Sequence, residues 1–146
     1  LTWRSLSFDA PADWIFAYAG QDNHIIVTSQ ESRMFFGATF SFGPLTLDVF
    51  DLSAVRLHVT PATLADVSLF VARPDSIDPD MITTEIDGDL LISSAPLATD
   101  AGSVGQALLI VSPDSAFVVA GIAGEEQWQA TERALFEAIL GTLTIE

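Results

Sequence analysis

Six carboxylates, Asp75, Asp78, Asp80, Glu85, Asp87 and Asp89, fall within fifteen consecutive positions, and no arginine or lysine interrupts them. Oxygen donors at that density suit a hard cation, because Ca2+ collects about six to eight oxygens from a chain bent back on itself. Asp75, Asp78, Asp80, Asp87 and Asp89 are therefore the candidate metal ligands, with Asp78-Pro-Asp80 and Asp87-Gly-Asp89 each supplying a pair. The register is not that of an EF-hand, which needs Asp at alternate positions, a central Gly and a distal Glu. Asp87-Gly88 is in addition a turn signal. A solvated acidic loop accounts for these residues without a ligand, and calcium is the one cofactor the sequence brings into question.

Other chemistry is sparse. His24 and His58 are far apart in sequence and each sits in a strand-like pattern, which reads as structural or exposed histidine rather than a metal or general-base site. Gly102-Ser-Val-Gly105 misses the nucleophile-elbow spacing by one position and reads as a turn. There is no cysteine and no lysine, so thiol nucleophiles, thiolate metal sites, Schiff bases and a phosphate-loop lysine are excluded. Carboxylate-dependent hydrolysis stays open in principle among 20 acids, but nothing singles out a pair. The phenylalanine-rich stretch with Phe35, Phe36 and Phe40 has two readings. Alternate phenylalanines line the core face of a strand, or Phe35, Phe36 and Phe40 form an apolar partner surface.

Five arginines against 20 acids leave a formal net charge of -15. A field of that sign repels phosphate, so nucleic acid and anionic membranes are not expected partners; a protein or a small ligand is. Hydrophobic residues make up 49% of the 146 positions, enough for one core in a single domain spanning 1–146. The chain opens Leu-Thr-Trp, which predicts that any targeting segment lies upstream of Leu1.

These residues must be positioned by short, mostly apolar elements. Leu6 to Phe8, Trp14 to Tyr18, His24 to Ser29, Met34 to Phe42, Leu45 to Phe50 and Val55 to Val59 read as strands. Thr60-Pro61 predicts a helix start, with the helix running from about Pro61 to Ala72, although Val67 to Val71 also has the pattern of a strand. Leu90 to Ala95, Ala107 to Val111 and Ala116 to Ile122 are strands separated by turns at Thr99–Gly102 and Ser112–Ser115; the last two form a hairpin apolar on both faces, hence central. Glu125 and Glu126 open a helix whose Trp128, Thr131, Leu135, Phe136 and Ile139 share a face, with Gly141 as a left-handed stop. Leu143 and Ile145 form a closing strand.

Phe8-Asp-Ala-Pro-Ala-Asp-Trp14 after an opening strand, and Ala120-Gly-Ile-Ala-Gly-Glu-Glu-Gln-Trp128 followed by Phe136-Glu-Ala-Ile-Leu-Gly-Thr-Leu143, resemble the PsbP-like superfamily. The resemblance covers the two ends and hardly touches Ser29 to Glu85. It implies an α+β fold, a central antiparallel sheet flanked by helices in an α/β/α sandwich, with the C-terminal helix packed on the sheet before a final strand. It also implies a non-catalytic binding or assembly module, exported or at the cell surface, with a lipid anchor upstream of Leu1 among the family's habits. The basic partner surface of the photosystem subunit does not transfer to so acidic a chain.

Overall fold

The computed structural model describes residues 1–18, 21–28, 45–66, 77–98 and 102–146. The expected strand Met34 to Phe42 lies outside them. The larger of two antiparallel sheets has seven strands, which lie side by side in the order β3 (Ile15–Tyr18), β4 (His24–Thr28), β5 (Thr46–Asp51), β9 (Ala116–Gly124), β8 (Ser103–Val111), β7 (Leu90–Ala98) and β6 (Thr83–Asp87). A small sheet joins β1 (Thr2–Trp3), β2 (Leu6–Ser7) and β10 (Thr144–Ile145). The two ends of the chain thus meet, with Glu146 N–H donating to the Ser5 carbonyl.

Strand β9 is buried along its whole length, as expected for a strand apolar on both faces. Successive side chains point to opposite faces, so Phe117, Val119 and Ala123 enter one core while Val118, Ala120 and Ile122 enter the other. The first core also takes Ile25, Val27, Leu47 and Val49 and is closed by the terminal helix and the small sheet. The second takes Ala95, Leu97, Ala107 and Leu109 and is closed by Leu64, on the short helix Thr63–Asp66, and by Ile77. That helix is the described part of the expected 61–72 element; residues 67–72 lie outside the described residues.

The terminal helix begins at Glu125–Gln127, passes through a π-helical turn, Trp128–Glu132, and continues as Arg133–Gly141. The π turn adds a residue to the period, and the shared face shifts accordingly. Thr131 is therefore exposed, against the sequence expectation, whereas Glu132 turns inward and accepts the Leu45 N–H at 2.7 Å. Trp128, Phe136 and Ile139 are buried as expected. Gly141 does not adopt a left-handed stop; the end is closed by Thr142, whose N–H and hydroxyl both reach the Ile139 carbonyl.

Three other expectations give way. Val55 to Val59 forms no strand but falls largely in a 3-10 segment, Ser53–His58, which leaves Val55 and the 84% exposed Leu57 outside the core while Val59 packs against the second core. Ser103 to Gly105 is not a turn but the start of β8. The acidic stretch is not wholly loop, since Thr83–Asp87 is the outer strand β6, which alternates acids with Thr84 and Ile86. The turn at Ser112–Ser115 is present, with Ser112 N–H donating to the Ser115 carbonyl and the Ser112 hydroxyl accepting the Ser115 N–H.

Arg4 ties the small sheet to the large one. Its Nη1 donates to Asp51 Oδ2 at 2.6 Å and its Nη2 to the Asp22 carbonyl at 2.8 Å, while the guanidinium lies 5.0 Å from the Trp3 ring centroid. The residue takes a left-handed φ of 57°, which places it in the β1–β2 turn. Asp51 also accepts the Ser53 N–H at 2.9 Å. Burial pushes the Asp51 carboxyl up, but the hydrogen bonds from Ser53 and Arg4 together outweigh it and hold the group below the usual carboxylate range.

Two predictions follow from this packing. A Cβ on Gly121 would sit 2.6 Å from the ring of Phe136, which is fully buried and has nowhere to move. Gly121→Ala should therefore cost about 2 kcal/mol in urea unfolding, and Phe136→Leu in the same chain should recover part of that loss. Asp51, with its folded pKa depressed, contributes stability above the unfolded carboxyl range, and loses it as pH falls through the lower folded value. Asp51→Asn should thus be about 1 kcal/mol less stable than the parent at neutral pH, with the gap closing below about pH 4 when unfolding is followed across pH.

Candidate functional site

Two places in the fold gather polar side chains. The first is internal. On β4 and β5, Ile25, Val27, Leu47 and Val49 fill the core under the terminal helix, so the alternate residues His24, Thr28, Thr46, Asp48 and Phe50 face the other way. The register sets His24 opposite Phe50 and Ile26 opposite Asp48, which makes His24 and Asp48 diagonal neighbours. His24 Nε2 lies 2.7 Å from Asp48 Oδ1, and the imidazole stacks on Phe50 at 3.7 Å between centroids and 16° between planes. The Thr28 and Thr46 hydroxyls meet at 3.3 Å.

This pair is a new finding relative to the sequence reading, in which neither residue had a functional partner. The signal was Asp48 itself, a lone charge in the apolar run Leu45 to Phe50, which a fold buries only against a partner. The Asp48 side chain is wholly buried and that of His24 is 9% exposed. A general base must reach a proton on its substrate, and a pair sealed to this degree presents no such approach. The imidazole gives the buried carboxylate a partner at its Oδ1.

The second place is open. Ser94, Pro96 and Gln106 lie on the same face of β7 and β8 as Ile92 and Leu108, which pack into the core under the terminal helix, but they lie further along the strands. Together with Met81 and Thr83 from one side and Trp128 and Arg133 from the helix they line a groove of about 400 Å³. Its surface is mixed: the Thr83 and Ser94 hydroxyls, 3.4 Å apart, and the Gln106 amide lie beside Met81, Pro96 and the Trp128 ring. Arg133 stands at the helix side, with its Nε donating to Glu137 Oε1 at 3.2 Å.

The candidate metal ligands do not share a loop. Asp78 Oδ1 accepts the Asp80 N–H at 2.9 Å and caps the 3-10 turn Pro79–Met81 ahead of β6. Asp87 and Asp89 flank Gly88, at φ 60°, in the turn after β6. A five-residue strand, about 16 Å of extended chain, separates the two pairs. All four are exposed, and no group of three His, Cys, Asp or Glu side chains among the described residues is arranged to hold a metal ion. Asp75, Phe35, Phe36 and Phe40 lie outside the described residues.

The internal pair has a measurable consequence. Removing one partner leaves the other polar group buried, so His24→Ala should cost about 3 kcal/mol or more, while the double variant His24→Leu/Asp48→Leu should cost much less than the two single changes added together. Chemical denaturation of His24→Ala, of the double variant and of its two single leucine changes checks this.

No family model and no curated protein matches the sequence. Solved structures do match the fold. Cyanobacterial PsbP from Synechocystis sp. PCC 6803 superposes with a TM-score of 0.62 at 9% identity, over 97% of this chain and 87% of that one. A protein from Bacteroides thetaiotaomicron VPI-5482 superposes with a TM-score of 0.52 at 10% identity, over 97% of this chain and 45% of the other. The antiparallel sheet, the terminal helix laid across it and the closing strand agree with both the first match and the resemblance carried by the chain's two ends. This chain has the PsbP-like fold.

Proposed function

We propose that this chain is a non-catalytic binding or assembly module that holds a ligand or partner segment in the groove between β6–β8 and the terminal helix. The observation that carries this reading is the groove's lining. Hydroxyl and amide groups sit beside an exposed Met, a Pro and a Trp edge, a mixture that suits recognition, with a few polar groups fixing orientation on an apolar bed. The described residues that line it include no carboxylate, histidine or pair of converging acids, as acid-base hydrolysis would require. The PsbP-like fold supports the same reading.

Export to an extracytoplasmic compartment belongs to this proposal. It is supported by the fold resemblance, and it is compatible with the finding that no helix among the described residues is long and apolar enough to cross a membrane. Calcium binding through Asp75, Asp78, Asp80, Asp87 and Asp89 is the other reading; of its described residues, Asp78 and Asp80 precede β6 and Asp87 and Asp89 close it.

Titrating the 15N-labelled chain with a panel of small amphipathic ligands and short peptides tests the proposal. Binders should shift the amides of Ser94 and Gln106 and the Arg133 side-chain Nε–H together, and Gln106→Trp, which fills the groove, should abolish the shifts while leaving the fold's dispersion intact. Shifts scattered away from these residues, or turnover of any panel member, would count against it.

A further inference from the structure

Strand β6 presents an open sheet edge. Among the described residues it pairs only with β7, through Thr83↔Ser94 to Asp87↔Leu90, so alternate N–H and C=O groups on its outer side have no strand partner. All five of its residues are exposed, and Ile86 is 78% exposed on the face opposite the terminal helix. Soluble proteins usually protect such an edge with Pro, Lys, a bulge or a covering loop. Here there is neither Pro nor Lys in the strand, and Glu85 and Asp87 point from it on the helix side.

We propose that β6 is a docking edge for an extended, basic segment of another protein, added to the sheet as a further strand. The backbone supplies the hydrogen bonds of strand addition, and the side chains select the occupant. A segment with lysine or arginine at alternate positions sets its cations beside Glu85 and Asp87, while its opposite face covers Ile86. Arg133, which lines the groove with Thr83, is engaged by Glu137 and does not neutralise this edge.

A second copy of the chain is the wrong occupant. The antiparallel register that brings two Ile86 side chains together also sets Glu85 of each strand across from Asp87 of the other, and each chain adds a net charge of -15. Like charges directly opposite in a sheet are destabilising, so the edge rejects its own kind and accepts the complementary charge. The edge shares only Thr83 with the groove, and loss of groove binding at Ser94, Gln106 and Arg133 would leave it standing.

Three acetylated nine-residue peptides test this on the 15N-labelled chain: alternating lysine and threonine, the same with glutamate for lysine, and the lysine peptide with proline for threonine. The first should bind with amide shifts concentrated at residues 83–87. The proline peptide keeps the charge but loses N–H donors and should bind at least about tenfold more weakly. Glu85→Lys/Asp87→Lys, on an exposed strand, should transfer the preference to the glutamate peptide. Equal affinity for the lysine–threonine and lysine–proline peptides, shifts spread over the acidic surface, an unchanged preference in the folded double variant, or no binding at all would overturn the proposal.

Discussion

The pairing of β5 with β9 is the constraint on which the rest of the structure rests. Six residue pairs, Thr46↔Ile122 through Asp51↔Phe117, join a strand from the first third of the chain to one from the last third. Everything N-terminal of this seam, β3 and β4, reaches the sheet through β5. Everything on the other side, β8, β7 and β6, is a run of sequential antiparallel neighbours ending on β9. Since β9 is buried on both faces, it contributes to both cores at once and its register cannot slip without exchanging Phe117 and Val119 for Val118 and Ala120. Gly121 belongs to this constraint, because it is where the Phe136 ring comes down onto the strand.

The same alternation sorts the polar groups. On β4 and β5 the residues under the terminal helix, Ile25, Val27, Leu47 and Val49, are apolar, and Asp51 follows on that face only at the strand end, where Arg4 meets it; His24, Thr28, Thr46 and Asp48 gather on the opposite face. Buried polar groups need partners, and the imidazole–carboxylate contact, the threonine pair and the Thr28 hydroxyl donating to the Leu45 carbonyl are among those found here. On β7 and β8 the helix covers only part of its own face. Beyond it Ser94 and Gln106 stay half-exposed, and the groove is the gap between where the helix ends its coverage and where the sheet goes on. Chemistry that is sealed on one side of the sheet is accessible on the other for geometric reasons.

Much of the second half was legible in the residues. Ala107 to Val111, the Ser112–Ser115 turn and Ala116 to Ile122 are long apolar strands around a tight serine turn, and local signals suffice for them. What was not legible depends on partners distant in sequence. His24 and Asp48 are 24 positions apart and meet only through strand register. Val55 to Val59 has the period of a strand, but among the described residues it pairs with none, and the chain turns into a 3-10 segment straight after β5. Thr83–Asp87 is a strand because β7 extends past the hairpin turn at Gly88 and templates it, although its composition reads as solvated loop. The π turn in the terminal helix likewise has no composition signal, and it decides that Glu132 rather than Thr131 faces inward.

The acidity of the chain is consistent with these geometric demands. A sheet with 49% hydrophobic composition behind it and open edges is at risk of pairing with itself. At β6 the risk is met by charge, with Glu85 and Asp87 alternating with Thr84 and Ile86 along the strand. At the other edge β3 carries exposed Phe16 and Tyr18, 6.3 Å apart and edge-to-face, and has no acid of its own. The long-range field of the whole molecule opposes a second copy there, but it acts within about a Debye length and weakens with salt. The two edges therefore differ in kind: β6 carries its charge within the strand, as Glu85 and Asp87, whereas the exposed residues of β3 are aromatic and meet only the field of the rest of the molecule.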